Sequence, residues 1–198
     1  MRDGRVAGVV LAAGSSSRLG TNKLLIDVGG ETIVRRAARR ALEAGLAPVI
    51  VVLGFEADRV ADALQGVEVM QVVNPDHAGG MAGSMRAGIG RVPADCEAAV
   101  VMLADMPLVT SAMSAGLVAR FRSGAEPLVI SLYGGVQAPP TLYARALFPA
   151  LGAAGEGGGG QVVRDHRELA AAIDWPPALL ADLDRPGDVQ WLRSRGPE

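Results

Sequence analysis

The sequence is short of the residues that build metal clusters and covalent staples. Its one cysteine, Cys96, excludes a disulfide framework and a cysteine-rich zinc site. The two histidines, His77 and His166, leave little material for a histidine-based metal centre. Three phenylalanines, two tryptophans and two tyrosines are too few for the base-stacking platforms of single-stranded RNA recognition. Neither sign of charge dominates: 19 Lys and Arg oppose 21 Asp and Glu, a net charge of −2. A partner bound through bulk positive charge, such as nucleic acid, is therefore not expected. No run approaches the ~18 consecutive apolar residues of a membrane span, so no membrane partner is expected either.

What is present is ordinary globular material. With 49% hydrophobic and 20% charged residues, 198 residues can fill one sizeable core. At roughly 150 residues per domain, the expectation is one domain over residues 1–198. Arg2 and Arg5 before the apolar run Val6–Ala13 loosely resemble a signal peptide. Asp3 in the charged region and Gly8 inside the run speak against that, and the expected location is cytoplasmic.

Short apolar runs alternate with amphipathic stretches. Val6–Ala13, Val49–Leu53, Val67–Val73, Ala98–Leu103 and Leu128–Leu132 read as buried strands, and Thr141–Tyr143 as a further short one. Thr32–Ala44 reads as a helix with Ile33, Ala37, Ala41 and Ala44 on one face, arginines on the other, and Gly45 as its stop. Ala57–Leu64, Met81–Ile89, Ser111–Phe121 and Pro186–Ser194 read as further helices. Strands separated by helices predict an α/β, Rossmann-like fold, a mostly parallel sheet with helices on both faces. The Gly155–Gly160 segment (GEGGGG) is too short for a domain linker; it reads as a mobile loop over a site or as a solvated loop.

In such a sheet, ligands bind beyond the carboxyl ends of the strands. The first strand runs into Gly14-Ser15-Ser16-Ser17-Arg18-Leu19-Gly20-Thr21-Asn22-Lys23, which supplies flexible backbone, hydroxyls and two cations. Freed N–H groups can face phosphate oxygens, Arg18 can clamp two oxygens, and Lys23 acts as a compact point charge. The spacing is neither that of a Walker loop nor of Gly-x-Gly-x-x-Gly. A phosphate site is expected from the buried strand upstream; the alternative is a solvated basic loop.

Leu11-Ala12-Ala13-Gly14, followed by Ser16, Arg18, Gly20 and Lys23, resembles the signature of GT-A type nucleotidyltransferases. These include sugar-nucleotide pyrophosphorylases, methylerythritol cytidylyltransferases and molybdenum-cofactor nucleotidyltransferases. The resemblance implies that Leu11, Ala12 and Ala13 frame a nucleobase through backbone groups and that Arg18 and Lys23 hold a triphosphate. It also implies a Mg²⁺ cofactor.

Asp105 closes the fourth apolar strand, at the same sheet edge as the first loop. A carboxylate there is placed to hold the cation that accompanies a triphosphate. The alternative is a residue that starts the turn before Pro107. Met102-Leu103-Ala104-Asp105-Met106-Pro107 resembles the metal-binding strand end of the family. Asp182 and Asp184 alternate onto one face of an extended segment. The resemblance implies a second metal ligand there, Asp182 being favoured, with Asp184 as a cap of the last helix in the other reading.

The stretch from Asn74 to Arg86 has small residues that would let a base lie against backbone. It resembles the Gly-Met-Ala-Ser-Ser-Leu segment of molybdenum-cofactor cytidylyltransferases, which implies nucleotide contacts at Asp76, Gly80 and Ser84; His77 reads as an ordinary loop histidine. The Leu-Ala-Ala-Gly turn, where guanylyl relatives more often carry Leu-Ala-Gly-Gly, points to CTP, with UTP as the alternative because uridylyl enzymes also carry this turn. The acceptor side departs from the family. Gln137-Ala138-Pro139-Pro140 stands where Arg-Gly-His-Pro is common, and Gly155–Gly160 where Gly-Asp-x-Gly-Ala-Arg is common. Arg164 is the cation left to replace the missing one.

The function expected is Mg²⁺-dependent transfer of CMP from CTP to molybdopterin, with Arg18, Lys23 and Asp105 as the catalytic groups. The alternatives are GTP as donor, a sugar phosphate as acceptor, or a non-catalytic carrier that delivers molybdenum cofactor to a molybdo-hydroxylase partner.

Overall fold

A computed structural model describes residues 2–14 and 22–181, together with Asp188 and Gln190. Seven strands form one sheet: β1 (Arg5–Ala12), β2 (Val49–Leu53), β3 (Met70–Val73), β4 (Cys96–Leu103), β5 (Leu128–Tyr133), β6 (Val136–Ala144) and β7 (Ala170–Trp175). Their order across the sheet is β3-β2-β1-β4-β6-β5-β7. Pairings among β1, β2, β3 and β4, and between β5 and β7, are parallel; β6 pairs antiparallel with both β4 and β5. The predicted α/β architecture is the one observed.

The helices are α1 (Ile33–Glu43), α2 (Ala57–Ala63), α3 (Met81–Ile89), α4 (Ser111–Ser123), α5 (Phe148–Ala153) and α6 (Gly158–Asp165). Strand alternation sorts them into two layers. Val6, Val10 and Ala12 of β1 face the core shared with α1, α2 and α4, while Ala7, Val9 and Leu11 face the core shared with α3, α5 and α6. The α3 layer sits close to the sheet because Gly88 has no side chain. A Cβ there would lie 2.5 Å from Val9 Cγ1 and 2.9 Å from Val52 Cγ2. The carboxyl end of β1, through Gly14, and the N-terminus of α3 lie at one edge of the sheet.

Several expectations need correction. The third strand starts at Met70, because Gly66 (φ +77°) and the turn to Val69 consume the residues before it. Thr141–Tyr143 is the end of a nine-residue strand, β6. Its two prolines hid it: they lack a ladder donor and lie where the pairing with β5 shifts register. Instead of backbone N–H groups, Ser131 Oγ and Tyr133 Oη donate to the Pro140 and Pro139 carbonyls. β7 and α5 carried no usable periodic signal.

Gly155–Gly160 is not a loop throughout: Gly158–Gly160 form the first turn of α6, with Gly158 and Gly159 buried. A Cβ on Gly159 would lie 2.8 Å from both Met85 Cε and Tyr143 Oη, so this glycine serves close packing. The arginines of α1 do not all face water. Arg36 and Arg40 are buried on its inner side, donating to backbone carbonyls. The predicted helix Pro186–Ser194 lies outside the described residues, apart from Asp188 and Gln190, both helical.

Candidate active site

At the carboxyl ends of β1 and β4 the chain encloses a cavity of about 430 Å³. Leu11–Gly14 forms one wall, Gly80, Met81 and Ser84 of the α3 entry another, and Lys23, Leu24, Leu103 and Asp105 the third. Gly80 has φ +95°, a conformation that favours glycine, and turns the chain into α3 at the cavity rim.

Lys23 Nζ lies 2.6 Å from Asp105 Oδ2, and both side chains are largely buried. Two residues 82 positions apart by number thus meet at the cavity wall. Each is held by its own scaffold. Asn22, 4% exposed, accepts from the Leu24 N–H at 3.1 Å and donates to the Phe55 carbonyl at 3.4 Å, fixing the 3-10 turn Lys23–Leu25. Asp105 follows Ala104, whose N–H donates to the Leu11 carbonyl at 3.1 Å and continues the β1–β4 ladder. Beyond it, Arg40 Nη1 donates to the carbonyls of Pro107 and Val109. Burial, with Arg36 and Arg39 nearby, holds the Arg40 guanidinium below its ordinary pKa.

The wall around Ala13 and His77 is built by close approach. Gly54 lies against Ala13 and His77; a Cβ on it would stand 2.6 Å from His77 Cβ and 2.7 Å from the Ala13 carbonyl oxygen. His77 lines the cavity and meets Phe55 edge-on at 6.4 Å between ring centroids. Ser84 Oγ, on the opposite wall, accepts from Asn74 Nδ2 at 3.1 Å. Asn74 Oδ1 accepts from the Asp76 N–H, so Asn74 ties the end of β3 to α3.

Of the residues named from sequence, Leu11, Ala12, Ala13, Gly14, Lys23, Gly80, Ser84 and Asp105 line one cavity. Asp76 is exposed and is not among the residues of its wall. Arg18, Asp182 and Asp184 lie outside the described residues. Sequence reasoning passed over Asn22 and Arg40, and read as an ordinary loop histidine His77, which lines the cavity. Asn22 had a signal, a capping side chain directly before Lys23. Arg40 had none, since a basic residue on an amphipathic helix reads as solvated.

Among the described residues no group of three or more His, Cys, Asp or Glu side chains gathers to hold a metal on its own. The donor chemistry suits a cation that arrives with its ligand, because Mg²⁺ takes one or two carboxylates and fills its shell with phosphate and water. Among the described residues no helix is long and apolar enough to cross a membrane.

Residues 8–171 match the MobA-like NTP transferase domain family. Among curated proteins, the chain is 32% identical over 135 residues to a probable molybdenum cofactor guanylyltransferase of Opitutus terrae, covering 62% of this chain and 64% of that protein. It is 32% identical over 153 residues to the bifunctional protein GlmU of Kineococcus radiotolerans, covering 75% of this chain but 31% of that protein. The chain thus spans about a third of the length of that relative. Among solved structures it resembles Rv0371c of Mycobacterium tuberculosis H37Rv, with a TM-score of 0.85, 26% identity, and coverage of 98% of this chain and 100% of that one. A structure of Rv0371c in complex with manganese superposes with a TM-score of 0.78.

Proposed function

The chain belongs to the MobA-like NTP transferase domain family, and from that premise we propose that it acts as a single-domain, Mg²⁺-dependent nucleotidyltransferase. It transfers CMP from CTP to a phosphorylated acceptor, molybdopterin first among candidates, and releases pyrophosphate. An oxygen of the acceptor phosphate attacks the α-phosphorus. The new O–P bond forms as the bond to the bridging β-oxygen breaks, and pyrophosphate leaves with that electron pair. The protein supplies no nucleophile, because a phosphate monoester is already anionic near neutral pH. Its task is placement and charge neutralisation.

The observation that carries this reading is the 2.6 Å contact between Lys23 and Asp105 on the wall of a cavity lined by Leu11–Gly14 and the α3 entry. Lys23 would pass from Asp105 to the α-phosphate, and Arg18 would clamp the β- and γ-phosphates. Asp105, with Asp182 as second ligand, would hold the cation. When bound, that cation neutralises charge on the triphosphate. The manganese complex of Rv0371c supports a divalent metal in a protein of this fold.

CTP is supported by the Leu11-Ala12-Ala13-Gly14 turn and the small residues Gly80, Ala82 and Gly83 beside the cavity. GTP is the second reading, favoured by the guanylyltransferase relative. Thermal shift with each triphosphate plus Mg²⁺, paired with a pyrophosphate-release assay, separates them. A ligand at ~100 times its Kd stabilises by about 2.7 kcal/mol, an easily read shift. CTP is expected to give the largest shift. A shift from GTP alone would reverse the base assignment, and no shift from any triphosphate would end the reading.

A further inference from the structure

Two polar residues on and behind the α3 wall of the cavity, Ser84 and Asn74, are only 4% and 5% exposed. Asn74 ends the β2–β3 ladder, its N–H donating to the Leu53 carbonyl at 2.8 Å. Its side chain lies against the first turns of α3, where Gly83 leaves room: a Cβ on Gly83 would stand 3.3 Å from Asn74 Nδ2. Ser84 is the polar side chain that α3 contributes to the cavity lining.

The direction of the hydrogen bond between them is fixed from outside. The Asp76 N–H can only donate, so the atom of the Asn74 amide that faces it, at 3.1 Å, is Oδ1. The amide nitrogen is thereby turned to Ser84, and Nδ2 donates to Ser84 Oγ at 3.1 Å. Ser84 has accepted one bond and has a proton left to give. Asn74 is its one polar partner among the described residues, so that proton is left to whatever occupies the cavity. A buried hydroxyl proton without an acceptor costs binding energy, and the ligand atom against Ser84 must therefore accept.

Given the nucleotidyltransferase reading, on which this step rests, we propose that Asn74 is a positioning residue that makes Ser84 a hydrogen-bond donor to the central ring nitrogen of the base. Cytosine presents N3 there as an acceptor. Uracil, of the same size and shape, presents N3–H, and guanine presents N1–H. Donor then faces donor, and each buried unpartnered proton opposes binding. A ribose hydroxyl both gives and accepts, so it would not be discriminated in this way. A site built to hydrogen-bond one substrate atom rejects an analogue with the wrong group there more strongly than an apolar wall separates sizes. Selectivity for CTP over UTP thus comes from an amide that need not touch the nucleotide.

The test uses the whole chain in binding titrations with CTP, UTP and GTP, each with Mg²⁺. The wild type is expected to favour CTP. Asn74→Asp keeps the shape and still accepts from the Asp76 N–H, but its second oxygen takes the Ser84 proton and turns the hydroxyl's lone pairs to the cavity. The ratio of CTP to UTP affinity is expected to fall at least ~10-fold, the scale of one hydrogen bond lost on one base and gained on the other. In a Ser84→Ala background the same substitution is expected to leave the ratio unmoved, the non-additivity of a residue that acts through its neighbour. Ser84→Ala alone should also lower the ratio, which keeps the test alive if a buried carboxylate at position 74 prevents folding. Equal losses for both pyrimidine nucleotides, a ratio that Asn74→Asp moves as much without Ser84 as with it, or a wild type that does not favour CTP over UTP would overturn this proposal alone. A wild type that binds none of the three triphosphates would overturn it together with the nucleotidyltransferase reading.

Discussion

The Arg40 guanidinium reaches from the inner face of α1 to the Pro107 carbonyl at 2.6 Å and fastens the loop that carries Asp105. A second bond from the same nitrogen, to the Val109 carbonyl at 2.9 Å, makes this a two-point brace. Removing it leaves two buried carbonyls without that donor. Arg40→Met is expected to cost about 2–3 kcal/mol, the scale of hydrogen bonds to a charged group, measured by urea unfolding. If Arg40 also aligns Asp105, the variant's KM for Mg²⁺ rises while Arg40→Lys recovers part of it. A variant that loses stability but keeps its metal KM would restrict Arg40 to the fold.

The contact of Lys23 with Asp105 makes two opposite predictions for one substitution. Lys23→Met removes a cation proposed for the α-phosphate, so turnover should fall at least ~100-fold, the scale of losing one oxyanion donor. It also frees Asp105 from its ammonium partner. Nucleotide-free Mn²⁺ binding, followed by electron paramagnetic resonance, should therefore strengthen. Asp105→Ala should lose both rate and metal binding, and near-normal turnover in that variant would count heavily against the mechanism.

Gly54→Ala tests the cavity wall around Ala13 and His77. The added methyl would meet His77 Cβ and the Ala13 carbonyl at under 3 Å, and the nearest of these atoms are backbone or first side-chain carbons that cannot swing away. Overpacking of this kind costs about 1–3 kcal/mol. Because Ala13 and His77 both line the cavity, the expected outcome is a lower Tm together with a weaker CTP shift.

Acid stability has an identifiable contributor at Glu31. Hydrogen bonds from Arg39, at 3.0 and 3.1 Å, hold its carboxyl below the usual carboxylate pKa, with Arg36 adding charge. A depressed pKa means that the folded chain binds this proton less readily than the unfolded one. The stabilisation is complete above the unfolded pKa and lost as pH falls through the folded one. Urea midpoints measured from about pH 7 to about pH 3 should fall less steeply in Glu31→Gln than in the wild type. Identical slopes would remove Glu31 from the acid limb.

The parallel half of the sheet was legible because its strands are buried on both faces. Val49–Leu53 was read to the residue, and β1 and β4 to within two. β6 resisted because Pro139 and Pro140 carry the marks of a break, and their place beside a register shift is set by β5, not by local pattern. β7 opens on Ala170-Ala171-Ala172, which carry no strand preference of their own; pairing with β5 makes them a strand. The glycines at the start of α6 read as slack, yet Gly159 is held against Met85 and Tyr143.

The linear order of residues determined the chemistry on offer: a basic turn after a buried strand, a carboxylate at the end of another, and the periodicities that stack helices on a parallel sheet. Those are local properties, fixed by side-chain type and by spacings of two and 3.6 residues. The tertiary structure alone decided that Lys23 and Asp105 share one wall, that Arg40 turns inward to brace the loop after β4, and that an uncharged cavity opens beside the one they line. Each of these depends on strand order and on close approach through glycine. Contacts across tens of residues have no local signature, because they are chosen by how whole layers pack.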